Sequence, residues 1–384
     1  MGRVKSLERT GKRALMAGIG RALNARPVTM DEFRAMRFER ILVIRQHNQM
    51  GDMMLAIPAF RAIRETYPGA RIAVVSSRLN RGVLANSPYV DDVFTYDKRS
   101  PVRSSGLVGR LRAQRFDLAI VLHTVSFSFT SIALAVLSGA RVRIGSTSRR
   151  VGDSLTGSYL NLTLPLPGDA ELATMNEAEH NLYPLRAVGI TTADISPLLV
   201  PGPENERWAE DAAARCWRDG TTRLAVHPGA GKVENIWPPA RWAAVVDALS
   251  RDRALSLAII EGPADAEAVR AFQAACRVPG TVIRGRPILD VAALFRRADL
   301  VLCNDTGVMH VAAAARARVL AVFGPTDPLR WAPRCEGLEI VRSPGGKLLD
   351  LEADEVAARA REVLEERGDR PNVKPANAPQ PGER

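Results

Sequence analysis

The stretch LVLCNDTGVMHVAAAARARVLAVFGPTDPLRWAP, residues 300–333, alternates apolar runs with polar turns. Residues 301–303 have the pattern of a buried strand, residues 304–307 form a polar turn, and residues 308–315 have the pattern of a helix. A second strand is predicted at Val319–Phe323, before another polar turn. A strand that runs into a helix presents free backbone N–H groups and the positive end of the helix dipole, which is how α/β proteins hold phosphates. We therefore expect a nucleotide-binding α/β unit here.

The same alternation of strands and helices extends over most of the chain. It predicts an α/β protein with parallel sheets covered by helices on both faces. A stretch rich in proline, residues 164–203, separates two such series. The predicted division is a basic arm at 1–40, a first Rossmann-like domain at 41–185, a second at 186–367, and a tail at 368–384 that cannot bury a core.

The composition is that of a soluble globular protein. The chain has 384 residues, 46% of them hydrophobic and 25% charged, which suits two domains of ordinary size. Its net charge of +11 predicts an anionic partner, such as nucleic acid, a membrane surface or a phosphorylated substrate. Without an apolar run of about 20 residues or a secretory signal, we expect a cytoplasmic location. The four scattered cysteines fit a reducing compartment and argue against a zinc site or a disulfide framework.

The arm at residues 1–40 is strongly basic. It holds ten Lys or Arg against four Asp or Glu, and so contributes +6 of the net charge. Six apolar residues lie roughly on one helical face: Val4, Leu7, Leu15, Ile19, Ala22 and Leu23. Such a helix can lie on an anionic membrane, at the inner face of the cytoplasmic membrane for example. The alternative is a helix that packs on the domain or is partly disordered, and the glycines of this segment weaken the helix prediction.

A first polar loop, with Gln49, Met50, Gly51 and Asp52, follows the first predicted strand. Ligands bind at the carboxyl ends of the strands in open parallel sheets. Gly51 permits a tight turn. Asp52 has two interpretations: the N-cap of the next helix, or a carboxylate that accepts a proton from a bound hydroxyl.

A second loop, with Gly229, Ala230, Gly231 and Lys232, follows the first strand of the second domain. Its glycines allow backbone amides to approach an anion, and Lys232 supplies a cation. The spacing is not that of a Walker A motif. The alternative is an ordinary glycine-rich turn with a solvated lysine.

The third loop is the polar turn of residues 304–307. Asp305 and Thr306 are expected to cap the following helix, which leaves the N–H groups near Gly307 for phosphate oxygens. His310, one turn into this helix, is either a core residue or a ligand contact.

Together the three loops resemble glycosyltransferase family 9, which contains the ADP-heptose:lipopolysaccharide heptosyltransferases. The resemblance runs from Ile41 to Pro333 and is carried by Ile41-Leu42-Val43-Ile44-Arg45 with Met50-Gly51-Asp52, His227-Pro228-Gly229-Ala230-Gly231-Lys232 with Trp237-Pro238, and Asp305-Thr306-Gly307-Val308-Met309-His310 with Phe323-Gly324-Pro325-Thr326-Asp327-Pro328.

The resemblance implies a GT-B architecture, in which two Rossmann-like domains face each other across a cleft. The first would bind the acceptor and the second the nucleotide-sugar, which is a substrate, so no cofactor is expected. No metal is expected either, because the helix start at Thr306–Gly307 and Lys232 would stabilise the charge on the diphosphate, and no carboxylate cluster with metal spacing is evident. Asp52 would be the catalytic base. Asp305, Thr306, Gly307 and His310 would contact the donor diphosphate and sugar. Either Glu261 or Glu267 would bind the ribose.

One departure from the family pattern concerns the second loop. Family members commonly carry Lys or Arg one or two residues before the Trp-Pro pair, where this chain has Asn235 and Ile236. Lys232, three residues before Asn235, is the candidate substitute.

The implied function is inverting transfer of a heptose or related sugar from a nucleotide-diphosphate donor, ADP-heptose above all, to a lipopolysaccharide core or related glycan. The alternative is a non-catalytic protein that binds a sugar-nucleotide or a glycan on the same fold. Nucleic acid is disfavoured as a partner because the charge is concentrated in the arm, aromatic residues make up only 5% of the chain, and no nucleic-acid-binding module is evident.

Overall fold

The computed structural model describes residues 25–46, 49–97, 106–122, 128–146 and 159–366. The chain divides into two compact units, which comprise Met1–Leu84 with Tyr89–Ile195, and Ala85–Pro88 with Ser196–Arg384. The boundary after Ile195 lies beyond the predicted one at residue 185. The reason is that the intervening segment stays bound to the first unit: Arg34 donates to the Ala187 carbonyl at 2.7 Å, and Arg61 pairs with Asp194 at 2.9 Å.

The first unit is built on a six-stranded parallel sheet in the order β3-β2-β1-β4-β5-β6. Its strands are β1 Arg40–Arg45, β2 Arg71–Ser77, β3 Asp92–Tyr96, β4 Leu118–Val121, β5 Val142–Ser146 and β6 Leu162–Leu164. Its helices are α1 Met30–Ala35, α2 Met50–Met54, α3 Ile57–Thr66, α4 Arg81–Leu84, α5 Leu107–Ala113, α6 Phe129–Leu137, α7 Asp169–Thr174 and α8 Glu177–Arg186.

The second unit repeats this architecture in the order β12-β11-β10-β7-β8-β9. Its strands are β7 Thr222–His227, β8 Leu255–Glu261, β9 Gly280–Arg284, β10 Leu300–Asn304, β11 Val319–Phe323 and β12 Leu338–Arg342. Its helices are α9 Pro203–Cys216, α10 Pro239–Leu249, α11 Ala266–Ala275, α12 Ile288–Phe295, α13 Gly307–Ala314, α14 Pro328–Trp331 and α15 Ala353–Glu365, with single 3-10 turns at Val233–Asn235, Pro344–Gly346 and Leu348–Asp350.

The central strands of both sheets are buried on both faces. All five residues of β10 and all five of β11 are buried, as are five of the six in β1. Strands covered by helices on both sides show such continuous apolar runs. In each sheet the strand order reverses once, between β1 and β4 and between β7 and β10. Ligands of doubly wound sheets bind at this switch point, outside the carboxyl ends of the strands.

Residues 25–40 of the predicted arm belong to the first unit. Phe33 is fully buried in α1 and lies 5.2 Å from the ring of Phe38, and Val28 donates its N–H to the Asn161 carbonyl at 2.8 Å. This part of the arm therefore packs on the domain. The predicted amphipathic helix from Val4 to Leu23 lies outside the described residues, as do His47, Asn48 and the tail.

The helical segment that follows β1 is divided into two helices. α2 ends at Met54 and α3 begins at Ile57. Pro58, the second residue of α3, has no N–H to donate, so it suits the first turn of a new helix rather than the middle of a longer one. Among the helices that the structure describes, none has both the length and the apolar composition needed to cross a membrane.

Candidate functional site

At the switch point of the second unit, the Asn304 amide joins two loops. Asn304 ends β10 and is fully buried. Its Nδ2 donates to the carbonyl oxygens of Pro228 (3.0 Å) and Gly229 (2.9 Å), which follow β7. Its Oδ1 accepts from the Trp237 backbone N–H (3.2 Å) and the Trp242 indole N–H (3.1 Å). The amide thereby makes all four hydrogen bonds of which it is capable, and so fixes the second predicted loop against the third.

The neighbouring carboxylate, Asp305, is held by this same second loop and by a further loop after β11. Its Oδ2 accepts from the Thr326 hydroxyl after β11 and from Asn235 Nδ2 (3.0 Å), which also donates to the Asp305 carbonyl (3.1 Å). Burial raises the pKa of Asp305, while the Thr326 hydroxyl, the charge of Lys232 and the Asn235 amide act in the opposite direction. The two donors on Oδ2 fix the orientation of the carboxylate.

The expectation that Asp305 and Thr306 cap the following helix is wrong. Thr306 occupies the N-cap position of α13, but its side chain makes no capping hydrogen bond. The Asp305 carboxylate is turned instead towards Thr326 and Asn235. The N–H groups at the start of α13, near Gly307, therefore remain for an anion, with the positive end of the helix dipole behind them.

His310 lies one turn into α13 as a buried imidazole. Its side chain is 5% exposed, and Nδ1 has no hydrogen-bond partner among the described residues. Burial lowers the pKa of His310 to about 4. The ring is therefore uncharged near pH 7.

A buried His–Asp pair supports the second loop from β7 and the end of β8. His227 Nδ1 donates to the Ile260 carbonyl (3.0 Å), and Nε2 lies 3.7 Å from Asp265 Oδ2. Asp265 Oδ2 also accepts from the Gly262 N–H (2.9 Å). Burial lowers the pKa of His227, and the Asp265 charge opposes this shift. A Cβ on Gly229 would clash with the Asp265 carboxylate, so the loop can pass here only because residue 229 is glycine.

The remaining predicted residues of the second unit differ in exposure. Ala230 is buried, whereas Lys232 is exposed, close enough to Asp305 for its charge to influence that carboxyl group. Glu261 ends β8, next to β7, and lies 3.6 Å from Arg284. Glu267 is exposed in the first turn of α11. Of the two acids, Glu261 lies at the carboxyl edge of the sheet.

In the first unit the predicted loop forms the short helix α2 at the carboxyl end of β1. Gln49, rather than Asp52, is the N-cap residue, so the N-cap interpretation of Asp52 is wrong. Because the helix begins at Met50, Gly51 lies inside it instead of in the expected tight turn. Asp52 is half-buried at the third helical position, and its carbonyl accepts from Arg45 at 3.2 Å.

The family model for glycosyltransferase family 9 (heptosyltransferase) matches residues 106–358, well over half of the chain. The chain belongs to glycosyltransferase family 9. The resemblance drawn from the three loops is thereby confirmed. Since the family is one of transferases, the chain is an enzyme, and the alternative of a non-catalytic binding protein is set aside.

Three similar proteins illustrate this membership. Lipopolysaccharide heptosyltransferase 3 of Escherichia coli is 24% identical over 297 residues, which cover 74% of this chain and 83% of the relative. The structure of a family 9 glycosyltransferase from Veillonella parvula superimposes with a TM-score of 0.76 at 22% identity, over 87% of this chain and 99% of that one. The structure of ADP-heptose heptosyltransferase II of Escherichia coli superimposes with a TM-score of 0.69 at 23% identity, over 85% of this chain and 98% of that one. The fold of this family 9 chain is therefore the predicted GT-B type.

Four residues that build the family 9 site were given no role from the sequence: Asn304, Asp265, Thr326 and Asn235. Asn304 and Thr326 lie in the predicted polar turns at strand ends, and Asn235 was noted only as a departure from the family pattern. Asp265 carries no such signal, because its contact with Gly229 depends on the path of two loops.

Proposed function

We propose that this family 9 enzyme transfers a heptose, with inversion, from a nucleotide-diphosphate donor, ADP-heptose, to a lipopolysaccharide core or related glycan. The observation that carries the proposal is the uncapped start of α13 at the β7/β10 switch point, beside a carboxylate held in one orientation. The names of its relatives, which include an ADP-heptose heptosyltransferase, support the choice of donor.

In this proposal the second unit binds the donor. The N–H groups of Gly307 and its neighbours, together with Lys232, bind the diphosphate and stabilise the charge that develops on it as it leaves. Asp305 accepts hydrogen bonds from sugar hydroxyls. His310 lies one turn into α13 and, as an uncharged imidazole, contacts the donor at the same end of this helix. Glu261 is preferred over Glu267 for the ribose because of its place at the end of β8.

Asp52 is the proposed base. It takes the proton of the acceptor hydroxyl while that oxygen bonds to the anomeric carbon, and the bond from this carbon to the diphosphate oxygen breaks on the opposite face. A base on one face and a diphosphate leaving from the other give inversion. Gln49, Met50 and Gly51 place Asp52 on the acceptor side.

The test is Asp52→Asn, which keeps the shape of the side chain and removes its basicity. General-base catalysis contributes about 10²–10⁴-fold, so the rate of transfer should fall by that factor. The affinity for ADP should stay unchanged, because the proposed donor residues belong to the second unit. The assay measures ADP release and heptose incorporation into a core lacking heptose.

The matched control is Asp31→Asn, at an exposed carboxylate of α1 that is remote in sequence from the three loops. It should transfer heptose at the wild-type rate. Full activity of Asp52→Asn would remove Asp52 as the base, and a wild-type enzyme that transfers no heptose from ADP-heptose would overturn the choice of donor.

A further inference from the structure

Arg45 joins the two strands at the switch point of the first unit. It ends β1 and is 3% exposed. One terminal nitrogen, Nη1, donates to the carbonyl of Leu122, the residue that follows β4, at 3.2 Å. The other, Nη2, donates to the carbonyl of Asp52 at 3.2 Å. One buried guanidinium therefore ties α2 to the ends of β1 and β4.

The Asp52 carbonyl needs such a donor because of how α2 ends. The N–H of Leu55 bonds to the Gly51 carbonyl at 3.0 Å, and the N–H of Ala56 bonds to the Met53 carbonyl at 3.1 Å. Neither of these two N–H groups therefore bonds to the Asp52 carbonyl, which accepts a hydrogen bond from Arg45. The carbonyls at a helix end require partners from elsewhere, and here the partner comes from the strand that precedes the helix.

A buried acid offsets part of the cost of burying this cation. Burial lowers the pKa of Arg45, and the charges of Glu177 and then of Asp52 oppose the shift. Glu177, the first residue of α8, is 2% exposed and also bonds to His180 Nδ1 at 3.2 Å. A buried cation that keeps an anionic neighbour costs far less than an unpaired one.

We propose that Arg45 is a positioning residue for the transfer reaction: it fixes α2, and with it the Asp52 carboxylate, at the carboxyl end of β1. The inference rests on the proposed role of Asp52 as the base. It assigns no contact between Arg45 and substrate, since the guanidinium is buried beneath the loop.

The planar fork of the guanidinium is what the two carbonyls require. Lysine would keep the positive charge as a single ammonium group, which does not reproduce the fork that reaches both oxygens. Arg45→Lys therefore separates the geometric role from the charge. A misplacement of about 1 Å in a reacting group costs roughly 10²-fold in rate, so we expect kcat to fall tenfold to a hundredfold. The KM for the acceptor and the Kd for ADP should remain at wild-type values.

Arg143 provides the matched control. It lies in the same unit, in β5, and donates to the carbonyls of Tyr159 (2.8 Å) and Ala140 (3.1 Å), and burial lowers its pKa as well. Arg143→Lys loses the same kind of contact away from Asp52. It should lower the thermal midpoint and leave kcat unchanged.

A double-mutant cycle distinguishes positioning from general destabilisation. If Arg45 acts through Asp52, adding Arg45→Lys to Asp52→Asn should cause no further fall in the residual rate. An equal fall in both backgrounds would overturn the proposal. So would an unchanged kcat in Arg45→Lys, or an equal loss of kcat in Arg143→Lys.

A second variant keeps the test decisive if Arg45→Lys does not fold. Arg45→Gln removes the fork and can donate to at most one of the two carbonyls, so it should lower kcat in the same sense with the ADP affinity unchanged. Full activity of Arg45→Gln would then overturn the proposal. Different results would overturn the proposed function, namely the absence of transfer by the wild-type enzyme or full activity of Asp52→Asn.

Discussion

The buried imidazole of His310 makes the stability of the second unit depend on pH. Its pKa is about 4 in the folded protein against an ordinary value of 6.5. Between these values the unfolded chain binds a proton that the folded chain does not, so stability is complete above pH 6.5 and is lost as the pH falls towards 4. The shift is equivalent to about 3 kcal/mol in total, of which about 2 kcal/mol is lost by pH 5.

The comparison of wild type with His310→Gln tests this dependence. Asp305 and His227, whose pKa values are also shifted, titrate in both proteins, so their contributions largely cancel. The wild-type protein should have the larger free energy of unfolding at pH 7, and its difference from the variant should be about 2 kcal/mol smaller at pH 5. Thermal unfolding at the two pH values provides the measurement. An advantage that stays constant would mean that His310 is not held uncharged.

At the scale of single elements, two helices end on an arginine in the left-handed conformation. Arg115 follows α5 with φ 52°, and Arg316 follows α13 with φ 62°. Glycine is the usual residue at this position because a Cβ there costs about 1 kcal/mol. Arg316 recovers part of this cost through its bond to Ser196 Oγ at 2.9 Å, whereas the Arg115 guanidinium has no such bond within the described part of the chain.

We therefore expect Arg115→Gly to stabilise the first unit by about 0.5–1 kcal/mol, and Arg316→Gly to change the stability of the second unit little. Arg112→Gly is the control, since it places glycine inside α5 and should destabilise by about 1 kcal/mol. Midpoints of thermal unfolding rank the three variants. A midpoint of Arg115→Gly below that of wild type would contradict the argument.

The individual strands and helices show which parts of the fold can be predicted from the sequence. The strands with continuous apolar runs, β10 and β11, and the apolar helix between them, α13, were predicted within one residue of their observed bounds. The strands β5, β6 and β12 were missed: β6 has three residues, β5 carries Arg143, and β12 is half-buried at the sheet edge. α9 was missed because it follows a proline-rich stretch.

The candidate site likewise has features that can be predicted from the sequence and features that cannot. The positions of Asp52, Lys232 and Asp305 at strand ends follow from the alternation of elements. The hydrogen bonds that hold them do not, because they join residues far apart in sequence. Asn304 bonds to Gly229, 75 positions away, and Arg45 bonds to Leu122, 77 positions away. Neither pairing leaves a local pattern that sequence reading could detect.

At the scale of the whole molecule, the positive charge is unevenly distributed. Residues 1–24 hold six Lys or Arg and one Glu, which is +5 of the net +11. We propose that this segment attracts the enzyme to an anionic membrane, where a lipid-linked acceptor is presented. Each Lys or Arg near such a surface contributes about 1 kcal/mol, and salt screens this attraction.

Replacing the six basic residues of the segment with Gln should therefore weaken binding to phosphatidylglycerol vesicles by up to about 10⁴-fold at low salt. The sites are Arg3, Lys5, Arg9, Lys12, Arg13 and Arg21. Co-sedimentation measures the binding, and phosphatidylcholine vesicles should bind neither protein. Transfer to a soluble acceptor should be unchanged.

A control variant with the same change in net charge separates the segment from the charge of the protein as a whole. It replaces six exposed arginines of the second unit with Gln: Arg207, Arg215, Arg218, Arg251, Arg270 and Arg334. If the segment is the contact, this variant keeps most of the vesicle binding, since charges away from the surface are screened beyond about 10 Å at 0.1 M salt. Equal losses in both variants would show that net charge alone draws the protein to the membrane, and would exclude residues 1–24 as a specific contact.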